Sequence, residues 1–211
     1  MVAPIGVPLP TLRRLPLYYR IFQERQAAGH AWLSSESLGR LLGFGAIQIR
    51  KDLGAIGATG SPKLGYPVAA TAESLKNFLG VDNCKDVFLV GSGILGRAVL
   101  ADKSIASHGY RIVGVFDPAP DGAERMPDGR EILPMDKLPD LVRRMGVRLA
   151  VLTVDAGQAG DAAAILVRAG VEAVLDLTGA SASFPVGILV ARHDLGSHLA
   201  TLGGELTARK R

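Results

Sequence analysis

Three closely spaced glycines make up the part of this chain best suited to bind a phosphate group. An apolar run at 87–90 passes into Gly-Ser-Gly-Ile-Leu-Gly at 91–96, and a helical pattern follows directly. Gly91 permits a tight turn, Gly93 removes a side chain where a pyrophosphate would approach, and Gly96 lets the helix pack closely on the strand. The N–H groups and the dipole of the first helical turn attract phosphate. The pattern predicts a dinucleotide site, and the alternative is a glycine turn that serves packing alone.

A carboxylate follows the next predicted strand. The predicted strand at 111–116 leads into Asp117, about twenty residues after Gly96. A carboxylate there can accept hydrogen bonds from both adenosine ribose hydroxyls and would repel a 2′-phosphate. NAD(H) is therefore favoured over NADP(H) as the cofactor, although Asp117 could instead cap a helix.

The elements that must position these residues alternate between strand and helix from residue 86 onward. We predict a parallel, doubly wound sheet of the Rossmann type, hence an α/β fold. Its strands are predicted at 87–91, 111–116, 148–154, 171–177 and 188–190, and its helices at 94–107, 136–145 and 160–169. The tail at 194–211 predicts a last helix, weakened by Gly203 and Gly204.

Positive charge is concentrated in the N-terminal part. Residues 1–80 carry nine Lys/Arg against four Asp/Glu, whereas residues 81–211 carry fifteen against sixteen. A small basic module joined to a neutral domain indicates a polyanionic partner, most simply DNA. A solvated basic surface is the alternative.

The basic module has the pattern of a winged helix-turn-helix. After an expected flexible arm over the first dozen residues, a helix is predicted from Pro16 to Gly29 and a second from the serines at 34–37 to Gly43. A third spans 46–53, with Ile49 and Leu53 inward and Gln48, Arg50, Lys51 and Asp52 outward. A β-hairpin wing at 57–68 and a helix at 72–79 are expected to follow.

Composition excludes several classes of protein. The sequence contains no run of eighteen apolar residues, so no membrane span is predicted. The single cysteine, Cys84, allows neither an internal disulfide nor a cysteine metal site, which fits a reducing cytoplasm. No histidine has a partner at metal or triad spacing, and His193 and His198 are interpreted as surface residues. We therefore expect neither a metal nor an enzyme.

Taken together, these motifs resemble the Rex family of redox-sensing transcriptional repressors over almost the full length. The matching segments lie at 14–20, 48–53, 65–66, 90–96, 116–117 and 152–154. The resemblance implies a homodimer that binds an inverted-repeat operator in double-stranded DNA and releases it on binding NADH. It also implies a C-terminal helix that swaps between protomers.

Residue roles carried over from the resemblance fall into three groups. The expected DNA-binding residues are Gln48, Arg50, Lys51, Lys63 and Tyr66. The expected NAD(H)-binding residues are Gly91, Ser92, Gly93, Ile94, Leu95, Gly96, Asp117, Thr153 and Val154. Arg20 and Asp194 match two family residues that resemble an ion pair between the domains. The corresponding boundaries are 1–82 for the winged helix, 83–192 for the NAD(H) domain and 193–211 for the C-terminal helix.

Some positions depart from the family pattern. Gly45 replaces a Thr or Ser cap, and the wing at 61–64 has one displaced basic residue, Lys63. On the nicotinamide side, a family tyrosine falls near Asp102, and Asn-Phe-Ala-Pro is replaced by Asp-Leu-Thr-Gly at 176–179. Two alternatives stay open: a dinucleotide-binding paralogue that acts through protein partners, and a small NAD-dependent oxidoreductase.

Overall fold

The computed structural model describes residues 7–82, 85–120, 122, 124–180 and 182–209. The chain divides into two compact units, and the second begins at Lys85. Each unit has its own hydrophobic core. The confirmed class is α/β, with an N-terminal helical unit, a Rossmann-type sheet and a C-terminal helix.

The N-terminal unit is mostly helical. Its core is formed by fully buried side chains from all three leading helices, including Phe22, Leu38 and Ile49. Its elements are α1 Leu9–Ala27, β1 Trp32–Leu33, α2 Ser35–Leu42, α3 Ala46–Ala55, β2 Tyr66–Pro67 and α4 Val68–Leu79.

Helix α1 begins earlier than predicted. The helix starts at Leu9, within the first dozen residues that were expected to form a flexible arm. The predicted start at Pro16 is therefore wrong. Pro10 lies in the first turn, where a proline lacks only an N–H that would have no partner. Pro16 lies inside α1, where buried side chains such as Tyr18 stabilise the helix despite the lost hydrogen bond. Residues 1–6 of the expected arm lie outside the described residues.

The helix-turn-helix forms as predicted. The Ser34 hydroxyl accepts a hydrogen bond from the Ser37 N–H at 3.0 Å and caps α2. Gly43 ends α2 in the left-handed region, with φ 73°. Gly45 caps α3 without a side-chain hydrogen bond. The turn between α2 and α3 therefore follows from local residue chemistry.

The wing is shorter than the predicted hairpin. Its two sides meet at one antiparallel bridge, where Ser61 N–H donates to the Gly65 carbonyl at 2.6 Å and Gly65 N–H donates back at 2.9 Å. Strand β2 pairs with β1, which was not predicted. Gly65 permits this pairing because a Cβ there would lie 2.5 Å from the Leu33 carbonyl oxygen. Helix α4 starts directly after β2, four residues before the predicted Ala72.

The second unit contains a six-stranded sheet in which every neighbouring pair is parallel. The order β5-β4-β3-β6-β7-β8 is the Rossmann order, with the chain crossing from β3 to either side. The strands are β3 Lys85–Val90, β4 Tyr110–Asp117, β5 Ile132–Pro134, β6 Leu149–Leu152, β7 Ala173–Asp176 and β8 Leu189–Arg192. The helices are α5 Ile94–Ala101, α6 Lys103–Ser107, α7 Leu138–Met145, α8 Ala159–Ala169 and α9 Leu195–Ala208, with a 3₁₀ turn at Met135–Lys137.

Two local features of this unit differ from the prediction. The single helix expected at 94–107 is broken at Asp102, whose backbone is extended and whose carboxylate caps α6 by accepting the Ser104 N–H at 2.8 Å. An aspartate is a better helix cap than a helix interior residue, which explains the break. The short strand β5 was not predicted.

Helix α9 is continuous through Gly203 and Gly204, and none of its residues is buried against the part of the chain that the structure describes. Its apolar side chains form one exposed stripe at helical spacing, consisting of Leu195, Leu199, Leu202 and Leu206. Among the described residues, the helices are all too short or too polar to cross a membrane.

Candidate functional site

The glycine turn lies at the point where the sheet changes direction. Strands β3 and β6 are neighbours, and the connections from them run to opposite sides, which opens a crevice at their carboxyl ends. The Gly91 N–H donates to the Phe116 carbonyl at 2.7 Å, and the Thr153 N–H donates to the Val90 carbonyl at 2.7 Å. Three adjacent strands thus hold the turn at the crevice.

The three glycines of the turn have different physical requirements. Gly91 has φ 112°, and a Cβ on it would lie 2.5 Å from Thr153 Oγ1. A Cβ on Gly96 would collide with the Gly91 carbonyl oxygen. Gly93 has φ −65° and a Cβ there would meet open space. The chain itself therefore requires Gly91 and Gly96, whereas Gly93 leaves a clearance outside the protein at the N-terminus of α5.

Asp117 lies beside this turn. Its Oδ2 accepts the Ser92 N–H at 2.8 Å and the Ser92 hydroxyl at 2.7 Å, and its Oδ1 accepts the Ala119 N–H at 3.0 Å. The half-buried carboxylate is thus oriented next to the clearance at Gly93. A free backbone clearance and an adjacent carboxylate are the features that a dinucleotide's pyrophosphate and ribose need, so the residues present fit this group.

The remaining predicted cofactor residues divide into a buried and an exposed pair. The buried Thr153 hydroxyl lies 3.1 Å from the carbonyl oxygens of both Val90 and Gly91, and Val154 is buried behind it. Both residues therefore support the turn. Ile94 and Leu95 lie at the start of α5, with 92% and 39% of their surface exposed.

A cavity of about 330 Å³ lies next to α5, and we call it the tail cavity. It brings together the start of α5, the segment after β7 and the start of α9. Its lining residues are Leu95, Leu177, Thr178, Gly179, His193, Asp194 and Leu195. It adjoins the glycine turn through Leu95.

Two features near the tail cavity were missed by sequence reasoning. The rings of His193 and His198 stack at 5.9 Å, because His193 lies before α9 begins and is not bound by helical spacing. The buried Asp176 accepts the Thr178 N–H and hydroxyl through Oδ1, at 3.0 and 2.7 Å, and its Oδ2 lies 3.6 Å from Arg192 Nε. These contacts hold the segment after β7 against β8.

In the N-terminal unit, the predicted cations lie on exposed surface. Arg50 and Lys51 are on the outer side of α3, and Lys63 is at the tip of the wing with φ 69°. A groove of about 420 Å³ separates α2 and α3 from the wing, and we call it the wing groove. It is lined by Ser34, Ser35, Glu36, Arg50, Gly60, Ser61, Pro62, Lys63, Gly65 and Tyr66.

Arg50 has partners on α2 that the sequence did not suggest. Its Nη1 donates to the Ser35 hydroxyl at 2.9 Å and to Glu36 Oε1 at 3.1 Å. The backbone N–H of Glu36 and the neighbouring Ser35 and Arg50 lower the pKa of the Glu36 carboxyl. The Arg50 guanidinium therefore has the Glu36 carboxylate beside it on the exposed face.

Two predicted DNA-binding residues have surroundings that the sequence did not suggest. Tyr66 is 7% exposed and belongs to the core, and burial raises the pKa of its phenol. Gln48 is exposed, but its amide N–H donates to Asp52 Oδ1 at 2.9 Å. Tyr66 thus supports the wing groove from inside, and Gln48 is tied to its own helix.

The expectation that Asp52 faces outward is wrong. Its side chain is 1% exposed and accepts hydrogen bonds from α1 as well as from Gln48. Arg14 binds it with two nitrogens, Nε to Oδ2 at 2.6 Å and Nη2 to Oδ1 at 2.8 Å. The hydroxyls of Thr11 and Tyr18 donate at 2.8 and 2.7 Å. The carboxylate therefore fixes α3 against α1.

This network determines the ionisation of its members. Burial alone would raise the pKa of Asp52, but hydrogen bonds from Arg14, Tyr18, Thr11 and Gln48 outweigh it and lower the pKa to about 2. Burial, with the hydrogen bond to Asp52, raises the pKa of the Tyr18 phenol. At neutral pH the Asp52 carboxylate is therefore ionised, and Arg14 and Tyr18 stay protonated.

Arg20 and Asp194 each have partners inside their own unit. Arg20 Nε lies 3.8 Å from Glu24 Oε1 on the exposed side of α1. Asp194 caps α9, accepting the N–H groups of Gly196 at 3.0 Å and Ser197 at 3.3 Å. The ion pair between Arg20 and Asp194 stays a prediction.

The fold and these sites define a class: a DNA-binding helix-turn-helix joined in one chain to a Rossmann-type nucleotide-binding sheet. Two family models match it. Residues 6–54 match "Putative DNA-binding protein N-terminus", and residues 82–179 match "CoA binding domain".

Relatives identify the family. The redox-sensing transcriptional repressor Rex of Treponema denticola is 33% identical over 95% of this chain and 96% of its own. That of Carboxydothermus hydrogenoformans is 32% identical over 93% and 94%. The crystal structure of RSP in complex with β-NAD⁺ and operator DNA is similar, with a TM-score of 0.84, 27% identity and coverage of 97% and 94%. The chain belongs to the Rex family of redox-sensing transcriptional repressors.

Proposed function

We propose that this chain is a repressor that binds an inverted-repeat operator as a homodimer and releases it when NADH binds. The observation that carries the proposal is that one chain contains both sites. The N-terminus of α5 leaves space for a ligand beside Asp117, and the recognition helix α3 exposes Arg50 and Lys51. The functional domains proposed are 1–82, 83–192 and 193–211. The proposal carries with it a cytoplasmic location, where bacterial operators lie.

NAD(H) would bind along the carboxyl ends of the strands. The N–H groups of Gly93 and of the start of α5 would receive the pyrophosphate, while Ser92, bound to Asp117, would orient that carboxylate. Asp117 would accept the adenosine ribose hydroxyls, and Ile94 and Leu95 would cover the cofactor's apolar surface. Thr153, Val154 and Gly96 would act indirectly, because they hold the glycine turn in place.

DNA would contact the exposed cations of the N-terminal unit. Arg50 and Lys51 on α3 would meet the major groove and its phosphates, and Lys63 would reach the backbone beside the wing. Gln48 and Tyr66 would act indirectly, since Gln48 orients Asp52 and Tyr66 packs under the wing groove. Phosphate contacts supply affinity, so binding should weaken with salt.

Cofactor state would reach the DNA through a change in domain arrangement. NAD⁺ and NADH differ in charge at the nicotinamide, and the tail cavity next to Leu95 is the proposed site for that ring. A ligand shifts an equilibrium only by its differential affinity for the two states. The proposed ion pair of Arg20 and Asp194 would stabilise one arrangement, as a bias and not as a main source of stability.

We propose that α9 forms the interface of the homodimer. The stripe of Leu195, Leu199, Leu202 and Leu206 has 56–79% of each side chain exposed. A helix containing two adjacent glycines has weak intrinsic stability and needs packing to persist. A second copy of the chain would cover this stripe.

Fluorescence anisotropy on inverted-repeat DNA from upstream of respiratory genes tests the proposal. We expect tight binding at low salt, release on adding NADH, and little release on adding NAD⁺ at equal concentration. Three other results would contradict it. NADH binding without DNA binding at low salt would support a paralogue that acts through protein partners, which the short wing favours. Turnover of a hydroxy acid or aldehyde would support an oxidoreductase, and DNA binding unaffected by NADH would remove the sensor role.

A further inference from the structure

The recognition helix exposes one large apolar side chain. Ile47 lies on the first turn of α3 with 66% of its surface exposed, whereas the other large apolar residues of α3, Ile49 and Leu53, are fully buried. Single exposed apolar residues are common on protein surfaces. The position of Ile47 is therefore what gives it significance.

Ile47 lies among the cations proposed to meet DNA. Positions three and four residues apart are neighbours on a helix surface, so Arg50 and Lys51 flank Ile47. Two polar neighbours of Ile47 have partners within the protein: Arg50 donates to Ser35 and Glu36 on α2, and Gln48 donates to Asp52. Ile47 is thus the apolar group presented at the N-terminal end of α3, the end from which recognition helices contact bases.

An isoleucine cannot hydrogen-bond to a base, so it can recognise only an apolar feature. The C5-methyl group of thymine is the apolar group on the major-groove edge of the standard base pairs. We propose that Ile47 determines part of the operator sequence by packing against one thymine methyl group in each half-site. This inference rests on the proposed DNA-binding function and specifies one of its contacts.

Replacement of thymine by deoxyuridine tests the contact, because it removes only the methyl group. The probe is an inverted-repeat duplex selected by this chain from random-sequence DNA, with each thymine of a half-site replaced in turn. We expect one replacement to weaken binding by about fourfold, the value of one buried methyl-sized group. The same replacement should leave binding by Ile47→Ala unchanged.

The controls separate this inference from the function on which it rests. Leu41→Ala removes an apolar side chain that is 50% exposed on α2 and should keep the wild-type response to deoxyuridine. If the wild type binds the selected duplex but every deoxyuridine effect persists in Ile47→Ala, the methyl contact is overturned while the repressor function stands. If no duplex is selected or bound at low salt, both are overturned.

Discussion

Gly93 has a conformation that other residues can adopt, and its missing side chain faces open space. Gly93→Ala should therefore fold like the wild type, with a cost below about 1 kcal/mol at a helix cap. It should weaken NADH binding by tenfold or more, because its Cβ would occupy the proposed phosphate position. Isothermal titration calorimetry and thermal unfolding measure the two effects separately.

Gly96→Ala is the matched control for that prediction. A Cβ there collides with the Gly91 carbonyl inside the chain, so thermal stability should fall together with cofactor binding. An unchanged NADH affinity in Gly93→Ala would show that the clearance at α5 does not receive the dinucleotide.

The ionised Asp52 makes stability depend on pH. Its pKa of about 2 in the folded chain lies below the unfolded value of about 3.9, so its contribution is fully present above pH 4 and is lost as the pH falls toward 2. The contribution should be on the order of 2 kcal/mol.

Urea unfolding of the wild type and Asp52→Asn measures that contribution. The variant should be clearly less stable at pH 7, since it leaves Arg14 and its partners without the carboxylate. The difference should shrink as the pH falls toward 2, and a pH-independent difference would contradict the assignment. Ser34→Ala, which removes the α2 cap hydroxyl bound to Ser37, is the control and should not show this pH dependence.

At the scale of elements, the contact between α2 and α3 places a negative charge, that of Glu36, beside a cation proposed to bind DNA. Glu36 lies 3.1 Å from Arg50 and would repel nearby phosphate. Glu36→Gln should therefore bind operator DNA about threefold more tightly, an effect that weakens with salt. Anisotropy titrations at several salt concentrations measure it.

Glu73→Gln removes an equally exposed carboxylate from α4, outside the wing groove, and serves as the control for Glu36→Gln. Weaker binding by Glu36→Gln would mean that Glu36 orients Arg50 productively and does not oppose the DNA.

The elements that could be predicted were those with local signals. Apolar runs alternating with helical patterns indicated the parallel strands, and the serines before α2 and the glycine after it marked a helix from both ends. The network at Asp52 could not be predicted, because its hydrogen bonds to α1 join residues 34–41 positions apart and the position of Asp52 on α3 resembles that of an exposed residue. The break at Asp102 was missed because the apolar pattern continues across it.

The candidate sites show the same division. The sequence motif identified the glycine turn and Asp117, which the structure brings side by side. It also marked residues 48–53 as a signature, but the structure shows that two of them, Gln48 and Asp52, join in one network with α1. The pairing of Arg50 with α2 depends on tertiary contact and had no signal in the sequence.

At the scale of the whole molecule, the exposed stripe on α9 predicts self-association. Leu199→Asp combined with Leu202→Asp should convert the dimer to a monomer, because charge cannot be buried without a partner. Operator affinity should fall by tenfold or more, since a monomer contacts only one half-site. Analytical ultracentrifugation and anisotropy measure the two effects.

Ala200→Asp places one aspartate on another face of α9 and should leave the dimer intact. A dimer that persists in the double variant would mean that α9 does not form the interface, and the exposed leucines would then need another partner.

Trp32 is the chain's only tryptophan. Its backbone pairs with Pro67 next to the wing, and its indole is 42% exposed. Intrinsic fluorescence excited at the indole band therefore originates from a single position in the N-terminal unit. The unlabelled protein thus carries its own optical reporter for the wing, and stopped-flow mixing with operator or nucleotide can time events there without any added dye.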